Sequence, residues 1–385
     1  MQGCIDTAHT KRTLSLDAFA EMKVDEYALN SRSFREHLER FYCHGKGSSF
    51  VTKYLKQYYA NGGQPLWVDY CGVDNRADSL LNVMEDRLAD MAFSGKHFHI
   101  ADIKADVERV RALSYDSSND VNRVLARLEY NLSNAYLTYV TGQRFGFVNP
   151  TFVLNRFDAR DTDSTGRAIS YRQLFDVDIE TPTDSFVRVA FSRATAGGLG
   201  DFLRQVEPST ELYGHLRQML KESVGDTRQR VLVNMERCRW RDKVQPKEGQ
   251  KYVIVNVPAF HLWAVGPDSI VDMRAACGAL KTKTPLLSSH INLMQVNPEW
   301  VIPMSIIRTD VAHHGGDPSY FARHRYYIAD RRTGQRVSAS SVSATMLCSG
   351  NYKVAQEGGP GNSLGRIIFR FPNNFSVFLH DTSSP

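Results

Sequence analysis

The hydrophobic period of this chain changes once, from about 3.6 residues to 2, across the charged, proline- and glycine-broken stretch 242–250, DKVQPKEGQ. A helical stripe and a strand alternation bury different faces, so one element type cannot serve both halves and two domains of different class are required. Upstream, Ser33 with Glu36 has the spacing of a capping box, and Phe34, Leu38, Phe41 and Tyr42 fall on one helical face. Further helices are expected over 49–60, closed by Asn61-Gly62-Gly63, over 77–93, and from Asp120 through Val124, Leu128 and Leu132 to Tyr139. Shorter ones are expected at 171–175, 199–206 and 210–222, and a well-formed one at 227–240, with Pro65-Leu66-Trp67-Val68 as a short extended piece. These stripes describe a packed helical core, so 1–241 reads as a helical scaffold.

After the linker, 252–257, 262–265 and 270–275 alternate as strands, with Gly266-Pro267-Asp268 as a turn. Helices do not alternate with them, which favours a β-sandwich or closed sheet over a parallel one. Between 304 and 352 the chain is expected to leave the strand pattern, with helical pieces at 306–311 and 318–324. The fold class is therefore α+β: a mainly helical domain, then a β-rich domain over 251–385.

The last residues carry the densest signal. Gly358-Gly359-Pro360-Gly361 can be neither helix interior nor central strand, and reads as a loop. A hairpin follows, with strands at 367–371 and 375–380 around Pro372-Asn373-Asn374. In its second strand Phe375, Val377 and Leu379 point one way, Ser376, Phe378 and His380 the other. An imidazole thus ends the strand, followed by Asp381-Thr382. A lone histidine in such a place is more often structural than catalytic.

The run Gly361-Asn362-Ser363-Leu364-Gly365-Arg366, the hairpin, and Phe378-Leu379-His380-Asp381-Thr382 together resemble the catalytic domain of the large L,D-transpeptidases, the YkuD-type enzymes that cross-link bacterial peptidoglycan. Val255-Asn256-Val257-Pro258-Ala259, Lys283-Thr284-Pro285 with Ser288-Ser289, and Val296-Asn297-Pro298-Glu299-Trp300 are similar to the same family in the same order. The helical half resembles that family's scaffold domain, through Pro65-Leu66-Trp67 and Asn234-Met235-Glu236-Arg237. The resemblance implies that His380 is the general base and acid, that Ser363, Gly365, Arg366, Phe378, Asp381 and Thr382 line the substrate groove, and that 304–352 is a lid. It further implies peptidoglycan stem peptides as partners, carbapenems as acylating inhibitors, a periplasmic or envelope location, and no cofactor. The family nucleophile is a cysteine in a Ser-x-Gly-Cys-type motif shortly after the histidine. These residues stop at Pro385 without it, so the expectation is a transpeptidase cut short, inactive as it stands, with an unpaired strand edge beside His380. A stem-binding protein without catalysis and an L,D-carboxypeptidase are the alternatives.

Other signals are weaker. The 385 residues have a net charge of +5, without a basic cluster, which gives no case for nucleic acid. No run of about 18 apolar residues exists to span a membrane. Gly3-Cys4 leaves open a lipid anchor at Cys4. The six cysteines lack Cys-x-x-Cys spacing, and His97, His99, His313 and His314 lack the spacing of a zinc site, so no metal is expected. Cys43 and Cys71 are left as a possible pair. Gly197-Gly198-Leu199-Gly200 reads as a flexible helix start rather than a phosphate loop. Arg366 either binds a substrate carboxylate or makes an ion pair within the domain.

Overall fold

The computed structural model describes residues 25–44, 49–91 and 93–382; Cys4 lies outside them. Two compact units emerge, one from the described residues up to Gln173 with Val177–Ala275, the other from Leu174–Asp176 with the residues from Ala276 onward.

The first unit is built on helices α1 (Ser31–His44), α2 (Phe50–Ala60), α3 (Asn75–Asp90), α4 (Ile100–Ala112) and α5 (Val121–Phe145). Its later helices are α6 (Asp184–Thr195), α7 (Leu199–Gln205), α8 (Glu211–Glu222) and α9 (Gly225–Arg237). Side chains set most starts: Ser49, Asp74, Asp120, Thr183 and Thr210 each accept from an amide in the first turn. At α1 the cap is Asn30, whose Oδ1 accepts from the amides of Arg32 and Ser33, and not the Ser33–Glu36 box. Helix α4 went unanticipated because its start carries no side-chain cap; His99 sits there with φ 54° instead. The expected helix at 171–175 is replaced by extended chain. Tyr171 pairs with Ala159 in a hairpin of Ala159–Thr162 and Ala168–Tyr171, whose turn is held by Asp163 accepting from the amides of Thr165 and Arg167. Gly198 caps α7 at φ 84°, the helix-start role expected of that glycine run.

Helix α5 is the axis of this core: Leu125, Leu128, Leu132, Tyr136 and Tyr139 are all at most 2% exposed. Among them sits Glu129, 0% exposed, a buried carboxylate. It accepts from the Tyr59 hydroxyl (2.6 Å) and from the amides of Leu66, Trp67 and Val68 (2.8, 2.9 and 3.2 Å), so the extended Pro65–Val68 piece docks on one side chain. Burial raises the Glu129 carboxyl, and these donors pull it back. Cys43 is a free thiol, so no Cys43–Cys71 disulfide forms.

The start of the linker is tied down, with the Lys243 amide donating to the Asp178 carbonyl at 2.8 Å. Strands β1 (Tyr252–Asn256), β2 (His261–Val265) and β3 (Ile270–Arg274) then form an antiparallel meander, close to the ranges expected. By packing, this meander groups with the first unit, which runs to Ala275.

The second unit contains β4 (Leu293–Val296), β5 (Trp300–Val301), β6 (Tyr326–Asp330), β7 (Arg336–Val337), β8 (Tyr352–Gln356), β9 (Ile367–Arg370) and β10 (Leu379–His380). They make two sheets, in the orders β4-β9-β10 and β5-β8-β6-β7. The segment 304–352 leaves the strand pattern only in part. Met304–Thr309 and Pro318–Arg323 are helical as expected, but β6 takes an inner place in the four-stranded sheet, over a core that includes Ile307, Phe321, Ile328, Leu347 and Val354. Its partner β8 lies more than twenty residues downstream, so the pairing is invisible to a local pattern.

Candidate active site

Strands β9 and β10 pair antiparallel, with Ile368 opposite His380 and Phe369 opposite Leu379. The hairpin is the one expected, but its second strand begins at Leu379, not at Phe375. The reason is Asn373. Its Oδ1 accepts from the amides of Phe375 and Val377 (both 3.0 Å), while its Nδ2 donates to the carbonyls of Phe371 (3.0 Å) and Val377 (2.7 Å). One side chain thus replaces the ladder bonds these residues would have made, and Ser376 turns to φ 57°, ending the alternation there. Strand β10 lies at the edge of its sheet.

His380 is exposed on that edge strand. Its Nδ1 lies 2.8 Å from the carbonyl oxygen of Asp381. A carbonyl only accepts, so Nδ1 carries the hydrogen and Nε2 of the neutral ring keeps its lone pair. The ring is therefore presented as a base through Nε2. Phe378 lies on the same side, with ring centroids 5.9 Å apart.

Asp381 is the clasp that closes this strand end. Its Oδ1 accepts from the amides of Arg366 and Ile367, both at 2.7 Å. Gly365 makes the clasp possible: it has φ +66°, and a Cβ there would overlap the Asp381 carboxylate and carbonyl oxygen. Gly365→Ala is expected to cost about 2–4 kcal/mol locally and to displace His380, since it combines a left-handed backbone with overlap against groups that cannot rotate away. Hydrogen exchange at the Ile367 and Arg366 amides would show the loss, and unchanged protection would refute it.

The Ile367 amide, followed by that of Arg366, holds the Asp381 carboxyl below its usual range. A depressed folded pKa means that the stabilisation is present above the unfolded value, about 3.9, and is lost as pH falls through the lower folded value. The clasp is thus expected to stay closed at neutral pH and open only below about pH 4. An acid titration of the two amide resonances should show this step, and Asp381→Asn should abolish it.

The other expected groove residues divide. Gly365, the Arg366 backbone, Phe378, His380 and Asp381 come together at the strand end. Arg366 has an exposed side chain without an ion pair among the described residues, so the internal-pair alternative is not what the structure shows. Ser363 is tied elsewhere: its amide donates to Gln356 Oε1 at 2.8 Å, and its side chain is exposed. Thr382 is exposed just beyond. Asn362, 0% exposed, shapes this turn by donating to the Glu357 carbonyl at 2.9 Å and accepting from the Leu364 amide at 2.7 Å.

Two residues went unread in the sequence. The Arg370 guanidinium lies 5.4 Å from the Phe378 ring centroid, and its Nε donates to Gln295 Oε1 at 3.3 Å. Period-2 counting back from Ile368 would have placed Arg370 on that face, but Gln295 enters only through the β4–β9 pairing. Arg325 also donates to the carbonyls of Gly358 and Pro360, which fastens the glycine loop to the turn between helix Pro318–Arg323 and strand β6. Cys348 packs against the core of the four-stranded sheet. Among the described residues no group of three or more His, Cys, Asp or Glu side chains is placed to hold a metal, and no helix is long and apolar enough to cross a membrane.

Comparison with known proteins points to one family. A model of the scaffold domain matches residues 53–220, and a model of the L,D-transpeptidase catalytic domain, YkuD, matches 250–385, taking in β1–β3 as well as the His380 hairpin. A Haemophilus influenzae protein named "Putative L,D-transpeptidase" is 26% identical over 211 residues. The match spans 53% of this chain and 42% of that protein. With a scaffold domain followed by an L,D-transpeptidase catalytic domain, the chain belongs to the L,D-transpeptidase family.

Proposed function

We propose that this protein is a peptidoglycan L,D-transpeptidase acting in the bacterial cell envelope, with His380 as its general base and acid. The observation that carries the reading is the exposed imidazole with Nδ1 bonded to the Asp381 carbonyl, which leaves Nε2 ready to take a proton. The nucleophile in this reading is a cysteine that follows His380 in the family pattern. His380 removes the thiol proton, because a free thiol with a pKa of about 8.5 is a poor nucleophile until a neighbour stabilises the thiolate. Sulfur attacks the carbonyl carbon of the diamino acid at stem position three, and backbone amides near the cysteine stabilise the oxyanion. The C–N bond breaks, D-alanine leaves with the proton held by His380, and a thioester remains. The side-chain amine of a second stem then attacks the thioester, restoring the thiol and forming a 3-3 cross-link.

Within this reading, Arg366 and Ser363 contact the donor stem, Phe378 supports the ring, 304–352 is the lid, and carbapenems acylate the same cysteine. The test takes the full-length protein, a tetrapeptide-bearing disaccharide, and mass analysis of products. A cross-linked dimer with release of D-alanine is expected. D-alanine release without dimer would assign an L,D-carboxypeptidase instead, and stem binding with neither product would leave only a binding role.

A further inference from the structure

Helices α4 and α5 pack side by side and border an open groove of about 690 Å³, closed further by Phe41 of α1 and Thr52 of α2. Helix α5 turns Arg127, Tyr130, Asn131 and Asn134 into it, at i, i+3, i+4 and i+7. That spacing in a bundle normally carries the apolar seam. Helix α4 answers with Asp102, Ala105, Asp106 and Arg109 at the same spacing. Polar groups at such positions cost stability unless they are satisfied.

Part of this polarity is internal. Asp106, 2% exposed, receives both the Nε and Nη2 of Arg127, at 2.7 and 2.6 Å. Asn131 is different: it is only 8% exposed, lines the groove, and its amide has no hydrogen-bond partner among the described residues. That amide is open to the groove, where a bound group that both donates and accepts would meet it. The charges that line the groove balance, Asp102 and Asp106 against Arg109 and Arg127, so an ion of either sign gains little. The stacked rings of Phe41 and Tyr130, 6.5 Å apart at 18°, supply an apolar border.

We propose that this groove binds a neutral sugar carrying an acetamido group, one unit of a glycan strand, with its acetamido or hydroxyl groups on Asn131 and its C–H face against Tyr130 and Phe41. The groove chemistry by itself selects a neutral, hydroxyl- and amide-bearing ligand; the choice of an N-acetylated sugar rests on the peptidoglycan reading above. The inference places a second contact with the polymer on the helical domain, apart from the His380 hairpin.

The test is a calorimetric and NMR titration of the 385-residue chain with an N-acetylglucosamine tetramer, using a glucose tetramer as control. Saturable binding with a Kd of about 1 mM or tighter is expected, together with a shift of the Asn131 side-chain amide resonance. Ala105→Trp, at an exposed position on the groove wall, should weaken binding at least about tenfold without changing the unfolding temperature. Asn131→Ala should weaken it similarly. Absence of saturable binding, equal binding of the glucose tetramer, or binding indifferent to Ala105→Trp would each overturn the proposal. No acyl transfer enters this titration, so its failure and a failure of the cross-linking assay are separate results.

Discussion

His380→Gln is expected to lower cross-linking turnover by about 10²–10⁴-fold while leaving the fold unchanged. The amide keeps much of the bulk of the ring and can still donate to the Asp381 carbonyl, but it cannot accept a proton in the thiolate-forming step or return one to the leaving amine. Because the side chain is exposed on an edge strand, its replacement removes no core packing. Single-turnover acylation by a carbapenem separates the two stages: adduct formation should slow along with overall turnover. If the variant keeps more than about a tenth of the activity at equal stability, the ring is not the base and the proposed chemistry is wrong. A variant that loses activity only by unfolding would be recognised from its unfolding curve.

Glu129→Ala should destabilise the helical unit by about 3–5 kcal/mol, the largest loss expected from one substitution there. The carboxylate is the acceptor for three consecutive amides, those of Leu66, Trp67 and Val68, and for the Tyr59 hydroxyl. Removing it strands three buried amides, each costing about 1–3 kcal/mol, offset in part by local relaxation and entering water, while the Tyr59 hydroxyl keeps Ser133 Oγ at 2.8 Å. Trp67, 1% exposed and edge-on to Tyr136 at 5.4 Å, would lose its anchor. Glu129→Gln should fare only slightly better, because its NH₂ would face amide donors where the second carboxylate oxygen now accepts. Urea unfolding followed by tryptophan fluorescence checks both; a change within about 1 kcal/mol for the alanine variant would mean the carboxylate is not the hub it looks to be.

The two predictions differ in how far the sequence foresaw them. His380 was singled out by the family resemblance of the run Phe378-Leu379-His380-Asp381-Thr382, since a histidine at a strand end is by itself more often structural. Glu129 was not: it sits inside a helical run of apolar residues and looks like an ordinary helix-forming glutamate. Helix α4 was missed for want of a cap, and the strand at 326–330 because its partner is distant. The hairpin was found but its second strand was drawn too long, since Asn373 captures amides and carbonyls that alternation alone would assign to a ladder. The groove between α4 and α5 requires knowing that two stripes face each other, which neither stripe states alone.

What the sequence by itself determined was carried by neighbours along the chain: the change of period at the linker, the helices over Phe50–Ala60, Asn75–Asp90 and Val121–Phe145, the meander of β1–β3, and a histidine closing a hairpin strand. What only the tertiary structure decided were the contacts of side chains with backbone far away, such as Asp381 with amides 14 and 15 residues back, or Glu129 with an amide 63 residues back. The physical reason is that periodicity records which face a residue turns inward, whereas a hydrogen bond depends on which atoms the folded chain brings within about 3 Å.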